Sequence, residues 1–245
     1  MSSRIALITG GTGGIGTAIC RDFAKQNIRV VACDIDKVYM DKWQTQQKES
    51  GFEFEVVYGD VSNFESTSEM VKEVETKIGA IDILVNVAGI TEDVTLRKML
   101  PSQWNHVLRV DLDSVFNVTR QVINGMINRG YGRIISISSI NGHLGNFGQT
   151  NYAAAKAGIF GFTKALAKEV ASKGITVNTI SPGYVDTEMV KKIPPKILDK
   201  IINEIPVGRL ADPKEIARAV TFLAADEAGY ITGADITVSG GVYMN

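Results

Sequence analysis

The sequence predicts an α/β domain built on one parallel, doubly wound sheet with helices on both faces. Two observations carry this. Short runs rich in Ile and Val recur between helix-like patterns: Ile5–Ile8, Arg29–Cys33, Phe52–Tyr58, Ile83–Val85, Arg133–Ile137, Thr176–Ile180 and Asp235–Val238. Such runs are apolar throughout rather than alternating, which suits strands covered on both faces. Strand–helix alternation implies right-handed crossovers, and the predicted order is 3-2-1-4-5-6-7.

Each element has a local reason. The first run opens into Thr9–Gly16, with five glycines in eight positions, and a helical pattern follows through Ile19, Phe23 and Ala24. Strand, glycine turn and helix together predict a dinucleotide site rather than a ligand-free tight turn, because glycine admits a pyrophosphate close to the backbone and the helix start offers free N–H donors. The second strand ends on Asp34, and the third leads to Gly59, Asp60 and Val61. The fourth leads to Asn86, Val87, Ala88 and Gly89, and a long helix is expected over Val107–Val122. The fifth ends in GRIISISS at Ser139, ahead of a helix over Tyr152–Val170. After the sixth comes Ser181-Pro182-Gly183, then an inserted helical segment, Thr187–Pro206, bracketed by prolines. An insertion beyond a strand's carboxyl end sits where ligands bind, so it reads as a lid. A helix over Pro213–Leu223, the last strand and the tail GGVYMN complete one domain spanning residues 1–245, the tail being a possible subunit contact.

Composition narrows the class. At 245 residues, 44% hydrophobic and a formal charge of −1, the chain supports one large core and has no electrostatic pull toward nucleic acid or anionic membrane. Cys20 and Cys33 lack metal-ligand spacing and read as small core residues, so no metal is expected. No apolar run reaches the ~18 residues of a membrane span. The first strand begins too early to leave room for a signal peptide, so a soluble, cytoplasmic protein is expected.

The chemistry resides in Tyr152 and Lys156, four residues apart and therefore on one helix face. A lysine ammonium beside a phenol favours the phenolate and brings its proton exchange nearer neutral pH. Ser139 can hydrogen-bond the oxygen that gains or loses that proton. Ser138, its neighbour, is expected to face the other way.

These segments resemble the short-chain dehydrogenase/reductase family over essentially the whole chain. The match rests on TGxxxGxG (Thr9, Gly10, Gly14, Gly16), Asp60-Val61, NVAG at Asn86–Gly89, Ser139 with YxxxK, and Ser181-Pro182-Gly183. The resemblance implies a Rossmann fold with Ser139, Tyr152 and Lys156 as polariser, acid/base and modulator. It implies nicotinamide-cofactor contacts from Thr9, Gly10, Gly11, Gly13, Gly14, Ile15, Gly16, Asp34, Gly59, Asp60, Val61, Asn86, Ala88, Gly89, Tyr152, Lys156, Pro182, Gly183, Val185 and Thr187. Asp34 would bond the adenosine ribose and repel a 2′-phosphate, and Gly13 stands where phosphate-binding relatives carry a basic residue. NADH is therefore favoured over NADPH, with Lys37 close enough to blur the choice. The family's catalytic asparagine is here Asp111, in VDLDSVFNVT. That carboxylate either strengthens Lys156 as a cation or competes for it.

Within the family the chain is most similar to acetoacetyl-CoA reductases, through GITEDVTLRKM, FNVTRQVINGM, NGHLGNFGQTNYAAAKAG and SPGYVDTEMV. That resemblance implies reduction of a 3-oxoacyl thioester and an acyl pocket lined by Asp93, Asn146, Phe147, Gln149 and Tyr184, with Arg97 and Lys98 near an anionic carrier arm. The neighbouring reading is a 3-oxoacyl-[acyl-carrier-protein] reductase, and the reading from another class is a non-catalytic dinucleotide-binding regulator. The family's packing implies a homotetramer through the two long helices.

Overall fold

A computed structural model describes residues 4–191 and 193–244, apart from the Met189 side chain. Its strands are β1 (Ile5–Thr9), β2 (Arg29–Asp34), β3 (Glu55–Tyr58), β4 (Ile83–Asn86), β5 (Gly132–Ile137), β6 (Ile175–Pro182) and β7 (Asp235–Val238). They form one sheet in the order β3-β2-β1-β4-β5-β6-β7, parallel at every pairing, as the alternation predicted. Leu7 on β1 sits in register with Val31 on β2 and with Leu84 on β4.

Period-two geometry sorts the strand side chains between two cores. Ile8, Val30, Val85, Ile135 and Ile180 pack with Ile19 and Phe23 of α1 (Gly14–Lys25) and with Ile216 and Val220 of α10 (Pro213–Ala224). Leu7, Val31, Leu84, Ile134 and Val177 pack on the opposite face, against α3 (Phe64–Lys77), α5 (Ser114–Arg129) and α7 (Thr150–Val170). The remaining helices are α2 (Lys37–Glu49), α4 (Pro101–Leu108), α6 (Asn141–Leu144), α8 (Glu188–Lys191) and α9 (Pro195–Glu204). The order reverses between β1 and β4, and open α/β sheets place ligands beyond the carboxyl ends of the strands at such a switch point.

The elements depart from expectation in three places. β3 starts at Glu55, not Phe52, because Phe52 and Phe54 stack on each other and Phe54 stacks on Trp43, 5.3 Å between ring centroids, instead of extending the ladder. The helix expected over Val107–Val122 is interrupted by a π-helical turn, Arg109–Asp113, between α4 and α5. The inserted segment folds as two short helices, α8 and α9, with Pro195 opening the second; Lys192, between them, lies outside the described residues. α10 begins where predicted, capped by Asp212, whose side chain accepts from the Lys214 N–H while Glu215 accepts from the Asp212 N–H.

Candidate active site

The turn from β1 to α1 is shaped by what glycine allows. A methyl group on Gly16 would fall 2.2 Å from the Gly10 carbonyl oxygen, and one on Gly14 would fall 2.9 Å from Thr187 Cγ2. Gly10 adopts a left-handed φ of 60°. No side chain caps α1 at Gly13, so the first N–H groups of the helix stay available to an anion. Thr9 anchors the turn by accepting from the Val87 N–H at 3.1 Å. Gly11 donates its N–H to the Cys33 carbonyl, and Asn86 donates to Ser136 on β5. These three stand behind the turn and strand ends rather than in the cavity wall.

The cavity itself measures about 510 Å³. It runs from Asp34, Gly59, Asp60 and Val61 past Gly10, Gly13, Gly14, Ile15 and Gly16 to Ala88, Gly89, Ser139, Tyr152 and Lys156. Pro182, Gly183, Val185 and Thr187 close the far side. An elongated cleft with a glycine cradle in the middle and an acid at one end fits a dinucleotide. Asp34 accepts from the Thr12 hydroxyl and from the Ile35 N–H. Lys37 lies over the Tyr58 ring, 4.5 Å from its centroid, rather than pairing with Asp34. Asp60 accepts from the Ser62 N–H and hydroxyl through Oδ1.

Ser139, Tyr152 and Lys156 converge at the other end. The Ser139 hydroxyl accepts from the Asn141 N–H at 3.1 Å, leaving its own proton to donate. Ser138 is committed elsewhere: its hydroxyl donates to the Lys156 carbonyl at 2.8 Å. Lys156 is 4% exposed. Its Nζ donates to the Ile137 carbonyl at 3.2 Å and lies 3.1 Å from Asp111 Oδ2. Asp111 is fully buried and is turned inward by the π segment; Oδ1 accepts from the Ile90 N–H at 2.8 Å. A methyl on Gly89 would come within 2.9 Å of Asp111 Oδ2 and 3.2 Å of the Lys156 Nζ, so glycine lets the chain leaving β4 pass over the pair.

Burial dominates the protonation of this group. It pushes the Tyr152 phenol up; Lys156 pulls the other way, Asp111 and Asp93 push further up, and the net direction is upward. The phenol drawn toward neutrality that Tyr-x-x-x-Lys predicts is therefore not what the chain alone produces: desolvation outweighs the lysine. For Lys156, burial acts downward, but Asp111 and then Tyr152 together overcome it, and the ammonium is held. Burial likewise raises the Asp111 carboxyl, against Lys156 and the Ile90 N–H. Both its oxygens face donors, as an ionised carboxylate requires.

The five residues expected around an acyl group lie beside the cavity, not in its wall. Gln149 is buried with its amide already used: Nε2 donates to both oxygens of Asp93, at 2.9 and 3.0 Å, while Oε1 accepts from Asn141 and Asn146. It acts as a strut from Asp93 to Asn141, which holds Ser139. Phe147, expected to narrow the pocket, is 89% exposed. Tyr184 is half-buried, its phenol raised by burial and then by Glu204 and Asp93. The sequence reading missed His106, which lines the cavity from α4 and bonds Glu92 at 2.7 Å through Nδ1.

Comparison with known proteins identifies the family. A family model described as enoyl-(acyl carrier protein) reductase matches residues 10–243. The acetoacetyl-CoA reductase of Cupriavidus necator is 53% identical over 245 residues, covering 100% of both chains. The 3-oxoacyl-[acyl-carrier-protein] reductase of Vibrio cholerae is 42% identical over 253 residues, covering 100% of this chain and 99% of its own. The crystal structure of gox2181 matches with a TM-score of 0.94 at 33% identity, covering 99% of this chain and 96% of that one. Over its whole length, this chain belongs to the short-chain dehydrogenase/reductase family of NAD(P)(H)-dependent oxidoreductases.

Proposed function

We propose that this protein reduces the 3-keto group of a short 3-oxoacyl-CoA, acetoacetyl-CoA foremost, to the (R)-3-hydroxyacyl-CoA. The observation that carries the reading is the meeting of Ser139, Tyr152 and Lys156 at one end of the dinucleotide-shaped cavity. The full-length similarity to acetoacetyl-CoA reductases supports the choice of substrate. A bound nicotinamide cofactor supplies the hydride. Tyr152 donates its proton to the substrate oxygen as the keto carbon is reduced. Ser139, its oxygen occupied by the Asn141 N–H, aims its own proton at the same oxygen. Lys156 stabilises the phenolate that results. Beyond the nicotinamide end, Asp93, Gln149 and Tyr184 form the shelf along which the acyl arm leaves, Asn146 and Phe147 stand at its rim, and α8 and α9 are the lid that closes over it. Because the cofactor and acyl thioesters are cytoplasmic metabolites, the reading places the protein there; no helix among the described residues is long and apolar enough to cross a membrane.

The decisive assay compares acetoacetyl-CoA with a carrier-protein-linked 3-oxoacyl chain by loss of reduced-cofactor absorbance. Acetoacetyl-CoA should give the higher kcat/KM, falling as the acyl chain lengthens, and Tyr152→Phe should lower kcat by at least ~10²-fold while cofactor binding survives. A strong preference for the carrier-protein substrate moves the protein to fatty-acid synthesis. Turnover retained in Tyr152→Phe removes the proposed acid.

For the cofactor, Asp34 argues for NADH. A carboxylate facing a 2′-phosphate costs about a kcal/mol or more, on the order of tenfold in kcat/KM. Asp34→Ser should narrow that gap. A native enzyme preferring NADPH would contradict the reading.

Assembly follows from the surfaces of α5 and α7. Phe116 on α5 is exposed and stacks on Phe64, while Ala154 and Ala157 on α7 are open to solvent. Burial of these faces against like helices gives a symmetric homotetramer. Light scattering at micromolar concentration should report four chains; a mass near 26.5 kDa, one chain, would refute it.

A further inference from the structure

We infer that Asp111 is a positioning residue that keeps Tyr152 a proton donor, so that carbonyl reduction persists, and alcohol oxidation is held back, to higher pH than a neutral side chain at that place would allow. The inference rests on the proposed role of Tyr152 and goes beyond it.

The geometry is that of a full charge held close to the reacting phenol and away from water. Asp111 has no exposure, touches the Lys156 Nζ at 3.1 Å and receives the Ile90 N–H on its other oxygen. Lys156 directs a hydrogen bond to the Ile137 carbonyl, and Asp111 Oδ2 receives no aligned hydrogen bond from any described residue. On that oxygen the carboxylate is met only by the nearby ammonium, 3.1 Å away, and its field reaches past the lysine to Tyr152, one helical turn away. Other groups face this cluster as well: Ser139 beyond β5 and Asp93 beyond β4 act on Tyr152, while His106 on α4 acts on Asp111. None of them is buried against the Lys156 ammonium as Asp111 is.

Counting charges gives the direction. With Tyr152 protonated, ammonium and carboxylate cancel. When the phenol loses its proton, the cluster carries one net negative charge in a site poor in water, where such a charge is weakly screened. With a neutral residue at 111 the same loss takes the cluster from one net positive charge to none. The first proton therefore leaves at lower pH once the carboxylate is gone. Because Tyr152 and Lys156 titrate together, that proton belongs to the pair. The upward displacement of the phenol, to which Asp111 contributes, has the same sign.

The test is an ultraviolet difference titration of tyrosinate in the full chain, with Tyr152→Phe as the reference that isolates this phenol. In Asp111→Asn the Tyr152 transition should move to lower pH. The alkaline fall of 3-oxoacyl reduction should move the same way, and oxidation of the 3-hydroxyacyl thioester near neutral pH should rise severalfold. Asp111→Glu, which keeps the charge, should restore the native titration. If Asp111→Asn does not fold, Asp111→Ser makes the same removal of charge. An unchanged Tyr152 transition, or one displaced to higher pH, in a folded neutral variant overturns the inference. A native enzyme inert toward every 3-oxoacyl thioester would overturn the substrate reading instead, and the optical titration would still decide the role of Asp111.

Discussion

A lysine ammonium buried at 4% exposure is the constraint around which the site is arranged. Desolvating such a charge costs several kcal/mol unless a partner and hydrogen bonds offset it. The partners come from separate elements: the carboxylate of Asp111 from the π turn and the carbonyl of Ile137 from the end of β5, while the Tyr152 ring, one turn earlier on α7, lies 5.5 Å from the ammonium. Satisfying Lys156 therefore draws the strand ends and α7 into one place, and that place is the switch point where the sheet already opens. Gly89 eases the approach, since a methyl group there would fall 2.9 Å from Asp111 Oδ2 and press on the Lys156 Nζ at 3.2 Å.

The cofactor end obeys a different constraint, close backbone approach. Gly16 packs against Gly10 and Gly11, and Gly14 faces Thr187 at the root of the inserted segment. The glycine turn and the root of the inserted segment thus lie directly against each other. Thr187 Oγ1 donates to the Val185 carbonyl, which steadies this root while α8 and α9 extend beyond it.

How much was legible in the sequence depended on whether a signal was local. Doubly buried strands announce themselves because both faces demand apolar residues, and six of the seven runs match their strands closely. Phe52 failed as a strand residue because it stacks on Phe54, which is itself held by a tertiary contact with Trp43 of α2. Ser139, Tyr152 and Lys156 were readable as a spaced set, and the glycine turn by its density. The π turn at Arg109–Asp113 was not, since LRVDLDS has nothing to distinguish it from ordinary helix; without it Asp111 has no evident route to Lys156. Gln149 misled for a related reason: a free amide in sequence is a consumed one in the fold, bonded to Asp93, Asn141 and Asn146. The net shift of Tyr152 was misjudged because charge proximity can be read from spacing, whereas desolvation cannot.

The claim that the buried pair organises the site is most directly tested by a double-mutant cycle on stability, using Lys156→Met, Asp111→Leu and the two combined in urea unfolding. Removing one member strands the other as an uncompensated buried charge, a loss of ~3–5 kcal/mol, whereas replacing both by apolar side chains of similar size is often close to neutral. The account predicts that the double variant is more stable than either single variant. Losses that simply add, with the double variant the least stable of the three, would contradict it.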